Sequence, residues 1–94
     1  MTEAEVQRDI LSYLRRRGVL CARVNAGRAG AVRLAPTGWS DIVGCYKGRF
    51  LAVEVKGPDG KLTPEQMAFL LRVRDEGGIA VVARDVMDVA KALE

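Results

Sequence analysis

Between Thr2 and Arg17 the apolar residues Val6, Ile10, Tyr13 and Leu14 recur at the spacing of one helical face. Thr2 stands where an N-cap is needed, and Gly18 ends the run. Turning about 100° per residue from Val6, Glu3 falls near about +60°, inside the apolar stripe, and Glu5 near about −100°, on the far side. Helical phase therefore expects Glu3 to point inward. Val19 to Asn25 is short and rich in Val, Leu and Cys, and it reads as a strand ending in the turn Asn25-Ala26-Gly27. Arg28 to Arg33 reads as a loop with a brief strand over Ala31 to Leu34, and Pro36, Thr37 and Gly38 break the chain again.

Ser40 to Tyr46 is a strand that opens with an acid, and Lys47-Gly48 makes a tight hairpin into Arg49 to Lys56. On the second strand Phe50 and Ala52 share one face and Leu51, Val53 and Val55 the other, so Glu54 and Lys56 lie side by side at its end. Gly57 to Lys61 is a loop. Thr63-Pro64-Glu65-Gln66 starts a helix, with Thr63 as cap, Pro64 at the first helical position and Gln66 completing a capping box; it runs to about Glu76. Gly77-Gly78 ends it, Ile79 to Ala83 is a buried apolar strand, and Asp85 caps a last helix to Leu93. The order is αβ(β)ββαβα, an α/β fold with a mixed, twisted sheet covered by the first and second helices.

Composition narrows the chemistry. The 94 residues, 49% of them apolar, suit one domain spanning 1–94 with one core. The apolar runs are far shorter than the roughly 20 residues needed to cross a bilayer, and no export signal is visible, so a soluble, cytoplasmic protein with no membrane partner is expected. Histidine is absent, which removes histidine-based triads and most zinc sites and leaves carboxylates, lysine or a hard metal ion. Cys21 and Cys45 lack close pairing and are expected to be reduced core thiols. The net charge is only +3, but Arg15, Arg16 and Arg17 are contiguous and Arg23, Arg28 and Arg33 follow. Nucleic acid is a reasonable partner for such a set; on charge alone a solvated basic face explains it as well.

Antiparallel pairing about Lys47-Gly48 sets residue i opposite roughly residue 95 − i, which places Asp41 opposite Glu54 and next to Lys56. Two facing carboxylates repel, whereas a divalent cation between them turns that repulsion into a binding site, and hard oxygen ligands suit Mg²⁺ or Mn²⁺. Lys56 beside such a cation is placed to orient or deprotonate an attacking water and to offset charge developing on phosphorus. The structural alternative is an exposed Glu54–Lys56 ion pair worth under about 1 kcal/mol, with Asp41 merely capping a strand.

Three segments together, Gly38-Trp39-Ser40-Asp41-Ile42-Val43, Leu51-Ala52-Val53-Glu54-Val55-Lys56 and Leu62-Thr63-Pro64-Glu65-Gln66, resemble the virus-type replication-repair nuclease (VRR-NUC) family of the PD-(D/E)XK superfamily. The opening Glu3-x-x-Val6-Gln7 resembles the family's first-helix motif, and Asn25-Ala26-Gly27 its turn after the first strand. The resemblance covers nearly the whole chain. It implies a restriction-endonuclease-like fold with Asp41 and Glu54 as metal ligands, the Val55 carbonyl as a third, and Lys56 as the catalytic lysine. Glu3 is then the first-helix acid, with Glu5 the runner-up. Gln66 is either a helix-capping side chain or a polar group facing the metal site, two uses that one rotamer is not expected to combine. The implied activity is a Mg²⁺-dependent endodeoxyribonuclease, Mn²⁺ substituting and no organic cofactor, acting on branched DNA such as Holliday junctions as a homodimer. Two-fold pairing has its own appeal, because one active site cuts one strand. Arg28, Arg33, Asn25 and Lys61 are the candidates for DNA contact, and Trp39 either stacks on a base or packs internally. Gly38 is expected to permit a backbone conformation or close approach that a side chain would block. The competing readings are a non-catalytic DNA-binding module of the same fold and a nuclease without branch specificity.

Overall fold

The computed structural model describes residues 1–24 and 36–94, together with the backbone of Arg28–Ala29 and Val32–Arg33. The elements follow in the order α1 (Glu3–Arg16), β1 (Leu20–Arg23), β2 (Arg28–Ala29), β3 (Val32–Arg33), β4 (Ile42–Tyr46), β5 (Arg49–Val55), α2 (Pro64–Asp75), β6 (Ile79–Ala83) and α3 (Val86–Ala92). Four strands form one sheet in the order β1-β4-β5-β6, antiparallel except for the parallel β5–β6 pair, and β2 and β3 pair separately. The expected single brief strand over Ala31 to Leu34 is thus replaced by two strands of two residues each. A ladder that short carries too little alternation to be read from a pattern.

The β4–β5 hairpin explains the rest of the layout. Lys47 (φ 49°) and Gly48 (φ 80°) both adopt positive φ, the backbone of a two-residue turn whose twist matches the strands it joins. That turn sets Tyr46 opposite Arg49 and Ile42 opposite Val53. Alternation along β5 then divides its side chains. Leu51, Val53 and Val55 enter the main core with Val6, Ile10, Leu14 and Val89, so α1 and α3 cover one face. Ala52 meets Leu70 and Val73 on the other face, so α2 covers β5 and β6 there. The sequence pattern expected α1 and α2 as the covering helices; the structure adds α3 beside α1.

Because α2 packs on β5 and β6, the same face of β1 and β4 is left open; Leu20 of β1 is exposed there, as is Phe50 at the adjoining start of β5. Cys45 lies on that face opposite Phe50 and is exposed, which corrects the expectation of two core thiols; Cys21, half-buried against the main core, fits it better. Both cysteines are free. Among the described residues no helix is long and apolar enough to cross a membrane.

Candidate active site

All the strand and helix ends that matter meet at one end of the sheet. β4 starts there, β5 and β6 finish there, and α1 and α2 begin there. One step beyond the Ile42–Val53 pair sets Asp41 opposite Glu54, the register that the two-residue turn imposes. Asp41 is also fixed through its own hydrogen bonds. Its Oδ2 accepts from Val55 N–H at 2.7 Å, and its carbonyl accepts from Val24 N–H at 2.8 Å.

Glu54 is 3% exposed, an unusual position for a carboxylate at a strand end. Its Oε2 lies 3.6 Å from Lys56 Nζ and accepts from Gln66 Nε2 at 3.3 Å, whereas Oε1 is buried with no partner. Burial, followed by the charge of the Asp41 carboxylate across the ladder, pushes the Glu54 pKa up to about 8, with Lys56 opposing the rise. The exposed, merely structural ion pair weighed from the sequence is therefore not what is found: Glu54 is buried and the Lys56 side chain is only 13% exposed. A buried carboxylate oxygen without a partner is costly, and a second carboxylate opposite it adds repulsion. A cation held between them relieves both.

The donor set fits a hard divalent ion. Asp41 and Glu54 supply carboxylate oxygens, and the peptide of Val55 turns the same way. The β6 ladder is served by Lys56 N–H, which donates to Ala83 O at 3.0 Å, so in a regular strand the N–H and C=O of Val55 face Asp41 instead. Two carboxylates and a carbonyl leave the remaining octahedral positions to water and phosphate oxygen, as Mg²⁺ prefers.

Gln66 holds a surprise. Its Oε1 accepts from Thr63 N–H at 3.0 Å, completing the capping box, while its Nε2 donates to Glu54. One rotamer performs both tasks that the sequence reading had set against each other, because a primary amide has an acceptor and a donor end. Glu5, in contrast, is consumed by the α1 capping box, where its Oε1 accepts from Thr2 N–H at 2.9 Å. Glu3 is the acid nearer the site: a methyl group placed on Gly57 would stand 3.6 Å from Glu3 Oε2. It is nevertheless exposed rather than inward-pointing, since the first turn of α1 projects past the core that begins at Val6. Among the described residues Asp41 and Glu54 form a pair and no third acid joins them within metal-holding range.

The residues expected to touch DNA are placed differently. Trp39 packs its ring 4.8 Å from that of Phe69 and 6.3 Å, edge-on, from Phe50, with about a third of its surface still exposed. Gly38 before it has φ 94°, and a Cβ there would stand 2.6 Å from the Glu65 carbonyl, so both reasons expected for this glycine apply. Lys61 is exposed beside the 57–60 loop. Arg28 and Arg33 lie opposite each other in the β2–β3 ladder; their side chains and Asn25 lie outside the described residues. Sequence reasoning missed two features. Arg8 joins Arg15 and Arg23, both already in the basic set, in one groove with Ser12, and its helical spacing from Arg15 was the signal available. Arg84 reaches the loop after Lys56 with bonds to Gly57, Pro58 and Gly60, and nothing in the local sequence announces them.

Comparison with known proteins agrees with this geometry. The family model of the VRR-NUC domain matches residues 1–87. A solved structure described as a VRR_NUC domain superposes with a TM-score of 0.68 at 23% identity, covering 95% of this chain and 90% of that one, which shows the shared fold. No curated protein matches the chain. With the motif order, the restriction-endonuclease-like sheet and the family match in agreement, this chain belongs to the VRR-NUC domain family of nucleases.

Proposed function

We propose that the chain is a metal-dependent endodeoxyribonuclease that hydrolyses phosphodiester bonds at the Asp41–Glu54–Lys56 end of the sheet. The observation that carries this reading is the buried Glu54 carboxylate, facing Asp41 and flanked by Lys56, with one oxygen left without a partner. Asp41, Glu54 and the Val55 carbonyl would hold Mg²⁺, or Mn²⁺ in its place. When bound, the ion supplies Lewis acidity at the scissile phosphate.

The protein's own groups do the remaining work. Gln66 and Lys56 both address Glu54 Oε2 and so fix the carboxylate in one orientation. Val55 N–H holds Asp41 in the same way. The Lys56 ammonium, on the face shared with Glu54, orients the attacking water and balances negative charge as it grows on the phosphoryl oxygens. Glu3, beside Gly57, is the acid available to position a second water or ion from the α1 side. Arg28, Arg33, Asn25, Lys61 and the groove of Arg8, Arg15 and Arg23 are assigned to the DNA backbone, whose affinity such contacts would make salt-dependent. Branched DNA and a homodimer complete the reading. The open, apolar face formed by Leu20, Ala22, Val43, Cys45 and Phe50 supports self-association, and two-fold pairing would set two sites on a symmetric junction. A cytoplasmic setting in a bacterial or phage-infected cell belongs to the same reading.

The test is cleavage of a labelled four-way junction, a flap and a plain duplex, by wild type and Lys56→Ala, with Mg²⁺, Mn²⁺ or EDTA. Metal-dependent cutting that falls by about 10²–10⁴-fold in the variant is expected, strongest on the junction. Tight binding with no cutting under any condition would replace the nuclease with a non-catalytic DNA-binding module, and equal cutting of all three substrates would remove the branch specificity.

A further inference from the structure

Lys56 is followed at once by the loop Gly57-Pro58-Asp59-Gly60, whose packing decides how freely the lysine side chain moves. The loop closes on itself through a bond from Gly60 N–H to Gly57 O at 3.1 Å. It also lies against Lys56: a Cβ on Gly60 would be 3.3 Å from both Cβ and Cδ of that lysine. The Lys56 side chain is thus pressed between the loop and the sheet, pointing to Glu54.

Among the described residues one side chain hydrogen-bonds this loop to another segment. Arg84, the first residue after β6, donates Nη1 to the carbonyls of Gly57 and Pro58 and Nη2 to that of Gly60, the last at 2.9 Å. Among the described residues, every hydrogen bond from residues 57–60 to another segment comes from Arg84. The arginine is held at its own base, where its N–H donates to Asp88 Oδ2 at 2.9 Å in the first turn of α3. A cleft of about 470 Å³, lined by Val6, Pro58 and Val86 among others, opens beside the loop. A planar guanidinium can serve three carbonyls converging from one turn; an ammonium is a point charge without that fork.

We propose that Arg84 is a positioning residue for Lys56: it holds the 57–60 loop closed over the lysine stem and so fixes the ammonium beside Glu54. This rests on Lys56 acting in cleavage as proposed above. Arg84 itself is satisfied by the loop carbonyls and touches no reacting atom, so its loss should reduce turnover and leave substrate binding nearly unchanged.

The experiment compares wild type, Arg84→Ala and Arg84→Lys by steady-state cleavage and by hydrogen exchange of the Gly60 amide, well below each variant's unfolding temperature. Expected for Arg84→Ala are a kcat about tenfold lower, a KM within about twofold of wild type, and Gly60 exchange at least about tenfold faster. Arg84→Lys should recover only part of both effects. An unchanged kcat, a loss carried wholly by KM, or unaltered Gly60 exchange would overturn the proposal. Should wild type not cleave DNA at all, the nuclease reading fails on that result alone, and Gly60 exchange still decides whether Arg84 holds the loop.

Discussion

The two ends of the β4–β5 hairpin both carry charged side chains and treat them in opposite ways. At the turn end Arg49 and Tyr46 both have hydrogen-bond partners. Arg49 donates Nε to Gly77 O at 2.8 Å and Nη2 to Gly78 O at 3.3 Å, tying the hairpin to the α2–β6 connection. Tyr46 donates to Leu93 O at 3.3 Å and accepts from Arg17 at 3.1 Å. At the open end, one strand position beyond the last apolar pair, a carboxylate is buried opposite another and one of its oxygens has no partner. The first end serves the fold. The second withholds stabilisation where, on the proposed reading, a cation and a phosphate are received, and functional sites are where natural sequences depart from locally consistent design.

Neutralising the open end should have the largest effect on stability, and with a sign opposite to that of most core substitutions. Glu54→Gln removes the buried charge and its repulsion by Asp41 while keeping shape. The metal-free protein should gain about 1–3 kcal/mol at pH 8. For a domain of this size that corresponds to about 4–8 °C in Tm per kcal/mol. Thermal unfolding in EDTA measures it; a clear loss of stability would mean that the carboxylate is structural. Cleavage by the same variant should be abolished.

The same group sets a pH dependence. In the folded chain Glu54 titrates at about 8, against 4.5 for an ordinary glutamate, so the folded state holds the proton more tightly than the unfolded state. The stabilisation from that proton is complete below about 4.5 and is lost as pH rises through about 8. Unfolding scans in EDTA from pH 5 to pH 9, about the span of that window, should show falling Tm, with the slope contributed by this site absent in Glu54→Gln.

The turn end should behave conventionally and supply the smallest change. Arg49→Ala removes two bonds to carbonyls and should destabilise by about 1–2 kcal/mol in denaturant unfolding. Its cleavage rate per folded molecule should match wild type. A loss of catalysis there would undo the division of labour between the two ends.

This contrast also marks what could be read in advance. A two-residue turn allows one register, so Lys47-Gly48 alone was enough to set Asp41 against Glu54 and to divide Leu51, Val53 and Val55 from Ala52. The caps at Thr2 and Thr63 were equally legible, because their partners lie three residues away. Other features depend on distances that the local pattern does not carry. Arg84 meets carbonyls more than twenty residues earlier only because β6 runs parallel beside β5. Glu3 satisfies the helical phase of the apolar stripe yet stands beyond the end of the core, a matter of axial position that phase alone ignores. Cys45 has the right alternation for burial but lies where no helix covers the sheet. The double use of Gln66 was missed for a chemical reason, since both ends of its amide were available to separate partners.

The most direct test is calorimetric titration of Mg²⁺ into the metal-free wild type and into the Asp41→Asn, Glu54→Gln variant at pH 7, in two buffers of different ionisation enthalpy. Wild type should bind with release of close to one proton, because the ion displaces the one that Glu54 retains at this pH, and the variant should show neither binding nor release. Equal Mg²⁺ binding by both proteins would contradict the assignment of the cation to Asp41 and Glu54.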